Sequence, residues 1–512
     1  MVADSGPLTG GRLARAGLAV VAAGAAAGLA AEFHLLGWTS VPGNGCGGRY
    51  SPCPDGTTPT LVLAFLLTFA GYIALLITIG KLTDRRPGKV LPAVLATTGV
   101  VLVLWPGWQA YLWMRGPVLD TVWKAGHDRP STVLGEGVWV VGTDDPAVVR
   151  VRTDALVAYD AHDGGRRWAL KAPTRTTVCG MSDTVVDGIG LVAFGRDGKP
   201  CDTLWGVDPS TGRTVWKRTV AEAVPYAGGD GGLLAADAGV AVALTQETVQ
   251  GYGLTDGVPR WTAELTGKGG DESCAPDVVS AAGGTTRVVV TCTEDGATDA
   301  KLVVLDTATG KQRDSLPLPV ESPLDTATVV SAEPFTLLLE ESDERGVAAV
   351  LSYPEDGADP VEIPLTADEE DLVVAPGTGG EFDARPTLWA AVEGNVLVVA
   401  ARKPGANYPA RVSGYSLRDG RRVWHTDLGS GNDIAALAPE GSDRGRVAVL
   451  GDSGRLFTLD AADGSRVGED DGIGVRGLDF STVYGRQLVR AGDTWVLVNA
   501  NGGGYPPALG IR

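Results

Sequence analysis

At 512 residues the chain exceeds one ordinary domain, and its 62 acidic against 43 basic side chains leave a net charge of −19. A body that acidic repels phosphate backbones, which sets nucleic-acid binding aside. The charge is uneven: residues 1–115 hold eight Lys/Arg and four Asp/Glu, leaving 35 basic and 58 acidic residues and a net of −23 downstream.

Residues 1–13 form a short polar tail. Three apolar runs follow, predicted as transmembrane helices over 14–38, 60–80 and 90–114, each about 20 residues, the length that spans roughly 30 Å of hydrocarbon. A cleaved signal peptide competes for the first run, since Arg12 and Arg15 precede an Ala-rich segment; the two later runs favour a retained anchor. The loop at 81–89 carries Lys81, Arg85, Arg86 and Lys89, whereas the loop at 39–59 carries Arg49 alone. Basic residues stay in the cytoplasm, so the tail and the second loop are predicted inside, the first loop and everything after the third span outside. Trp38, Trp105, Trp108 and Trp113 then fall near the outer interface. Gly24 and Gly28 form a small-xxx-small pair, expected to pack against the chain's own helices in preference to a second copy. Glu32 and His34 lie near the outer end of the first run, where snorkelling to the interface is preferred over a proton path.

All six cysteines fall in segments placed outside. An even number confined to the oxidising side indicates structural disulfides, and proximity in sequence suggests Cys46–Cys53, Cys179–Cys201 and Cys274–Cys292. A zinc site is the weaker alternative, because no C-x-x-C occurs and no histidine (34, 127, 162, 425) clusters with a cysteine. Cys46 as a lipoprotein anchor is disfavoured too: the residues before it lack the apolar position such a signal needs.

Residues 115–130 are expected to be a tether, and 131–512 a single β-rich body. Within it a frame recurs: a short apolar run, Asp, a turn closing on Gly four residues later, then Trp after four more. Complete copies are Asp160, Gly164, Trp168 and Asp208, Gly212, Trp216. Worn copies are Gly257 with Trp261, Asp306 with Gly310, Gly357, Gly420 with Trp424, and Asp460 with Gly464. The seven glycines are spaced 48, 45, 53, 47, 63 and 44 residues apart, a period that signals a propeller or another repeat array. Asp can bond backbone two residues on, Gly tolerates positive φ, and a Trp past the turn buries a large face against the neighbouring unit. Apolar runs at 147–151, 191–194, 240–244, 287–290, 336–339, 395–399, 446–450 and 495–498 read as one strand per blade. They predict an all-β, eight-bladed propeller, with seven blades as the alternative if the last segment merges into the first blade. A segment near 131–137 is expected to complete the last sheet.

The stretch from Ala158 to Trp168 resembles the A-x-D-x-x-T-G-x-x-x-W repeat of PQQ-like, quinoprotein-type β-propellers, a group that includes quinoprotein alcohol dehydrogenases and BamB-type assembly factors. The resemblance covers roughly residues 131–512 and concerns a structural motif. For the enzymes it implies PQQ held over calcium, an Asp base and a disulfide between adjacent cysteines. This sequence has no adjacent cysteines and no C-x-x-C-H haem site, and neither a calcium cage nor a base stands out. The 63-residue interval holds an acidic insertion, Asp368-Glu369-Glu370-Asp371, which with residues 340–344 and 469–471 is expected to be solvated and not a calcium loop.

The reading is therefore a non-catalytic propeller on three spans, binding or scaffolding an envelope or secreted protein, with no catalytic residue, cofactor or metal assigned. Alternatives are a PQQ-dependent dehydrogenase and an extracellular sensor signalling through the helices. A BamB-like role is an analogy, since BamB-type factors are lipoproteins without three spans, and the composition here resembles high-GC actinobacteria, which lack that outer membrane.

Overall fold

The computed structural model describes residues 10–39, 41, 56–82, 90–115, 118–119, 121–126, 137–196, 199–224, 232–265, 273–294, 297–343, 345–354, 359–367, 369–376, 387–429, 433–441, 445–451, 455–468, 471–473, 486–499 and 506–512. The chain divides into two compact units.

The first unit contains three helices, α1 (Gly10–Thr39), α2 (Thr57–Leu82) and α3 (Val90–Arg115). They coincide with the three apolar runs, each extended by a few residues. α1 packs against both others. A Cβ on Gly24 would run into the Ala96 carbonyl, and one on Gly99 into the Val21 carbonyl, so α1 and α3 approach backbone to backbone. Phe33, Leu36, Ala64 and Tyr111 fill the space between the helices, and the His34 ring lies 3.0 Å from the Thr68 hydroxyl. Among the described residues, Gly17–Thr39 is the segment long and apolar enough to cross a membrane, and Thr57–Ile73 is apolar over a shorter stretch.

The second unit is an eight-bladed β-propeller. Each blade is built on an antiparallel meander, and its strands grade from buried to wet outward. In the first blade, Ala147–Val151 is buried throughout, whereas the outer strand Arg166–Lys171 alternates between exposed and half-buried. The inner strands read as unbroken apolar runs because neighbouring blades cover both their faces. The first five blades have innermost strands at Val138–Val141, Thr177–Met181, Leu234–Asp237, Ser273–Ala282 and Leu324–Ala332. The last three have theirs at Ala390–Glu393, Ile434–Pro439 and Arg486–Ala491.

Two departures from the sequence reading have clear causes. Residues 115–130 are not simply a tether, and the segment that completes the last sheet lies upstream of 131–137. Thr121–Lys124 pairs antiparallel with Ala508–Ile511 as the outer strand of the eighth blade. Its Trp123 takes the place of the repeat Trp, covering Gly164 of the first blade. The first and last strands of the propeller thereby share one sheet, which closes the ring. Arg150 of the first blade reinforces the seam, its buried Nε donating to the Asn499 carbonyl of the eighth at 2.9 Å.

The second departure is the acidic insertion. Thr366–Ala367 and Glu370–Val373 form a hairpin that pairs with the far end of Val396–Arg402, adding to the sixth blade. Glu370 is completely buried there, not solvated.

Candidate binding cavity

The repeat residues come together between blades. At Gly212, φ is +70° and its N–H donates to the Asp208 carbonyl at 2.8 Å, while the Asp208 carboxylate accepts the Ser210 N–H at 3.0 Å. Asp160 with Gly164, Asp306 with Gly310 and Asp460 with Gly464 close their turns in the same way. Gly253 and Ser416 stand where Asp would be before Gly257 and Gly420. The face of each turn glycine is covered by the Trp of the preceding blade: Trp123 on Gly164, Trp168 on Gly212, Trp216 on Gly257, Trp261 on Gly310 and Trp424 on Gly464. Four of these indoles also donate to a carbonyl just past the start of the turn, Trp123 to Ala161, Trp216 to Leu254, Trp261 to Thr307 and Trp424 to Ala461, at 2.6 to 3.0 Å. Trp168 packs without that bond. Gly420 meets the Glu362 carbonyl and Val361, because the preceding blade has no Trp. Gly357 lies outside the described residues.

Cys179–Cys201 and Cys274–Cys292 are disulfides, each within one blade, while Cys46 and Cys53 lie outside the described residues. The acidic runs serve local structure. Glu341 accepts backbone N–H groups from Glu321, Ser322 and Val347; burial raises its carboxyl, and these bonds outweigh that and bring it below its ordinary range. Glu370 accepts from Arg411 at 3.1 Å, Ser413 at 3.0 Å and Tyr415 at 2.8 Å, with Arg422 at 3.3 Å. Asp368, Glu344, Glu469 and Asp470 are outside the described residues. Among the described residues no cluster of three His, Cys, Asp or Glu side chains forms a metal site.

One cavity of the propeller lies on its axis. A cavity of about 570 Å³ is lined by residues on or beside the innermost strands of the first, fifth, sixth, seventh and eighth blades. That is within the range of small-molecule sites. Its walls are apolar (Val138, Val330, Val392, Leu437, Leu488), and a polar patch is built by Glu440, Arg490, Gln487 and Thr387. Arg490 Nη1 donates to Glu440 Oε1 at 3.1 Å, its Nε donates to the Gly492 carbonyl at 3.2 Å, and the guanidinium lies 5.1 Å over the Trp495 ring. Gln487 Nε2 donates to the Thr387 hydroxyl at 3.2 Å. Arg446 approaches the other Glu440 oxygen at 4.0 Å.

None of these cavity residues stands out in the sequence reading. The available signal is Gln487 and Arg490 inside the otherwise strand-like run Arg486–Ala491, polar positions where a blade's innermost strand faces the axis. The cavity does not fit the quinone-over-calcium arrangement implied by the resemblance. Glu440 is the carboxylate among the described lining residues, and it is engaged by guanidinium groups where a cation would need it. Both disulfides join separate strands, not adjacent cysteines.

The chain matches the family model described as "Outer membrane protein assembly factor BamB" over residues 120–313 and 378–474. No curated protein matches it in sequence. Among solved structures, BamB from Moraxella catarrhalis is similar at 13% identity, covering 74% of this chain and 97% of that chain, with a TM-score of 0.39. A quinohemoprotein alcohol dehydrogenase from Comamonas testosteroni is similar at 12% identity over 77% and 76% of the two chains, TM-score 0.42. Apo AztD from Citrobacter koseri is similar at 11% identity over 74% and 98%, TM-score 0.41.

Proposed function

The chain belongs to the family described as outer membrane protein assembly factor BamB, and from that premise we propose that it is a membrane-anchored, extracytoplasmic binding or scaffold propeller without catalytic activity. The observation that carries this reading is the inverted surface of the helical unit. Phe65, Leu66 and Phe69 on α2 and Val101, Leu102, Trp105 and Trp113 on α3 are exposed, as are Leu18 and Leu35 on α1. In water such faces would cost about 25 cal/mol per Å² of apolar surface left wet, whereas lipid solvates them. This supports all three helices as spans, with 1–13 and 81–89 cytoplasmic and the loop at 39–59 outside. The two disulfides and the basic residues of the 81–89 loop support an outside propeller in the same scheme.

The non-catalytic part of the reading is supported by the cavity, whose carboxylate is committed to an ion pair with Arg490. A closed ring of blades suits capture of an envelope or secreted protein. Proteolysis of intact cells with an impermeant protease should remove the propeller and spare the helices, and crosslinking in native membranes followed by mass spectrometry should recover a specific envelope protein. A propeller protected until the membrane is permeabilised would overturn the placement. Bound quinone absorbance with alcohol-driven dye reduction would overturn the non-catalytic assignment.

A further inference from the structure

The polar patch of the axial cavity is arranged unlike an ordinary surface ion pair. Arg490 is pinned on three sides, by the Gly492 carbonyl, by Glu440 and by the face of Trp495, yet among the described residues its Nη2 makes no hydrogen bond. Glu440 itself is only 10% exposed and is paired with Arg490 at 3.1 Å, with Arg446 at 4.0 Å from its other oxygen. Arg490 lines this cavity within a chain of net charge −19, so its attraction for an anion is local rather than part of a general field. A guanidinium already fixed in orientation loses little freedom when it binds, and its planar N–H edge matches a carboxylate. Beside it, the Gln487–Thr387 pair offers amide and hydroxyl groups, and the rest of the wall is aliphatic. An inorganic ion would leave that apolar wall unused.

We propose that the axial cavity binds a carboxylate-bearing ligand flanked by amide and apolar groups, the chemistry of a peptide chain end, with the free Nη2 edge of Arg490 holding the carboxylate. Gln487 then meets the adjoining amide, and Val138, Val330 and Leu488 pack the side chain. The inference rests on the binding-module reading and specifies its ligand.

The test uses the detergent-purified full chain, titrated calorimetrically with N-acetyl-Leu-Leu and, separately, with its C-terminal amide. The free acid should bind saturably and the amide about tenfold more weakly or less, since a hydrogen-bonded charge pair is lost. R490Q should abolish that discrimination. Equal binding of acid and amide, no binding of the acid, or displacement of the acid by an equal concentration of inorganic phosphate would each overturn the proposal, the last by showing a general anion site. Should R490Q fail to fold, the acid-to-amide ratio of the wild-type chain decides alone. A crosslinked envelope partner found without acid–amide discrimination would sink the ligand class and leave the scaffold reading intact; discrimination without any partner would do the reverse.

Discussion

Trp216 of the second blade donates its indole N–H to the Leu254 carbonyl of the third, 2.6 Å away. The same ring covers Gly257, the closing residue of the third blade's turn, and lies against Gly206 of its own blade. One side chain therefore joins two sheets through both an apolar face and a polar handle, and the relationship repeats at Trp123, Trp261 and Trp424. It explains why the turn glycine and the Trp recur together: each occupies space the other leaves.

Trp216→Ala should lower propeller stability by about 3–5 kcal/mol, because it opens a cavity between blades and leaves the Leu254 carbonyl without its donor. Urea unfolding followed by intrinsic fluorescence would measure it. A loss below about 1 kcal/mol would show that the blades do not depend on this ring.

Two glycine substitutions separate backbone strain from packing. Gly257 and Gly394 both have positive φ, +63° and +60°, but an added Cβ at Gly257 would lie 2.6 Å from Trp216 Cδ2 whereas at Gly394 it would meet open space. Gly394→Ala should cost about 1–2 kcal/mol, the left-handed penalty alone. Gly257→Ala should cost about 1–3 kcal/mol more, because the indole must move. Equal losses in thermal melts would mean that the glycines are selected only for their turns.

The blades were legible because their signal is local and repeated: Asp208, Gly212 and Trp216 fix a turn and its neighbour within nine residues. Ring closure was hidden because it joins residues 121–124 to 508–511, a pairing no window of sequence contains. Trp123 is the trace it leaves, a Trp with no turn ahead of it. Glu370 misled for a different reason. Its acidic neighbours read as a solvated run, and its actual partners Arg411, Ser413 and Tyr415 arrive from strands some forty residues later. The cavity residues gave even less, since Glu440, Gln487 and Arg490 converge only when five blades surround one axis.

Oxidised protein should contain no labelling by maleimide at Cys179, Cys201, Cys274 or Cys292 unless reductant and denaturant are supplied together, since all four are bonded and buried. Replacing Cys274 and Cys292 together by serine should cost about 3 kcal/mol, the loop-closure value for an 18-residue separation. Mass spectrometry of labelled peptides and a denaturant titration check the two halves. Strong labelling of the native oxidised protein would break the assignment.

Glu370 gives the propeller an acid-sensitive joint. Burial pushes its carboxyl up, but hydrogen bonds from Tyr415, Ser413 and Arg411 and the charge of Arg422 outweigh this and hold it below its ordinary value of 4.5. A carboxyl lowered on folding stabilises the native state fully above its unfolded pKa, and that contribution is lost as pH falls through the folded value. Stability should therefore fall on acidification below about pH 4.5, with Glu370 contributing to the slope. E370Q should cost about 3–5 kcal/mol at pH 7, where Arg411 and Arg422 lose their buried counter-charge. Its deficit relative to wild type should shrink as pH drops, because the wild-type carboxyl becomes neutral as well. Denaturant titrations of both proteins from pH 7 down to pH 3 measure the gap directly, and a deficit that stays constant across that range would show that the Glu370 charge contributes nothing to holding the insertion on the sixth blade.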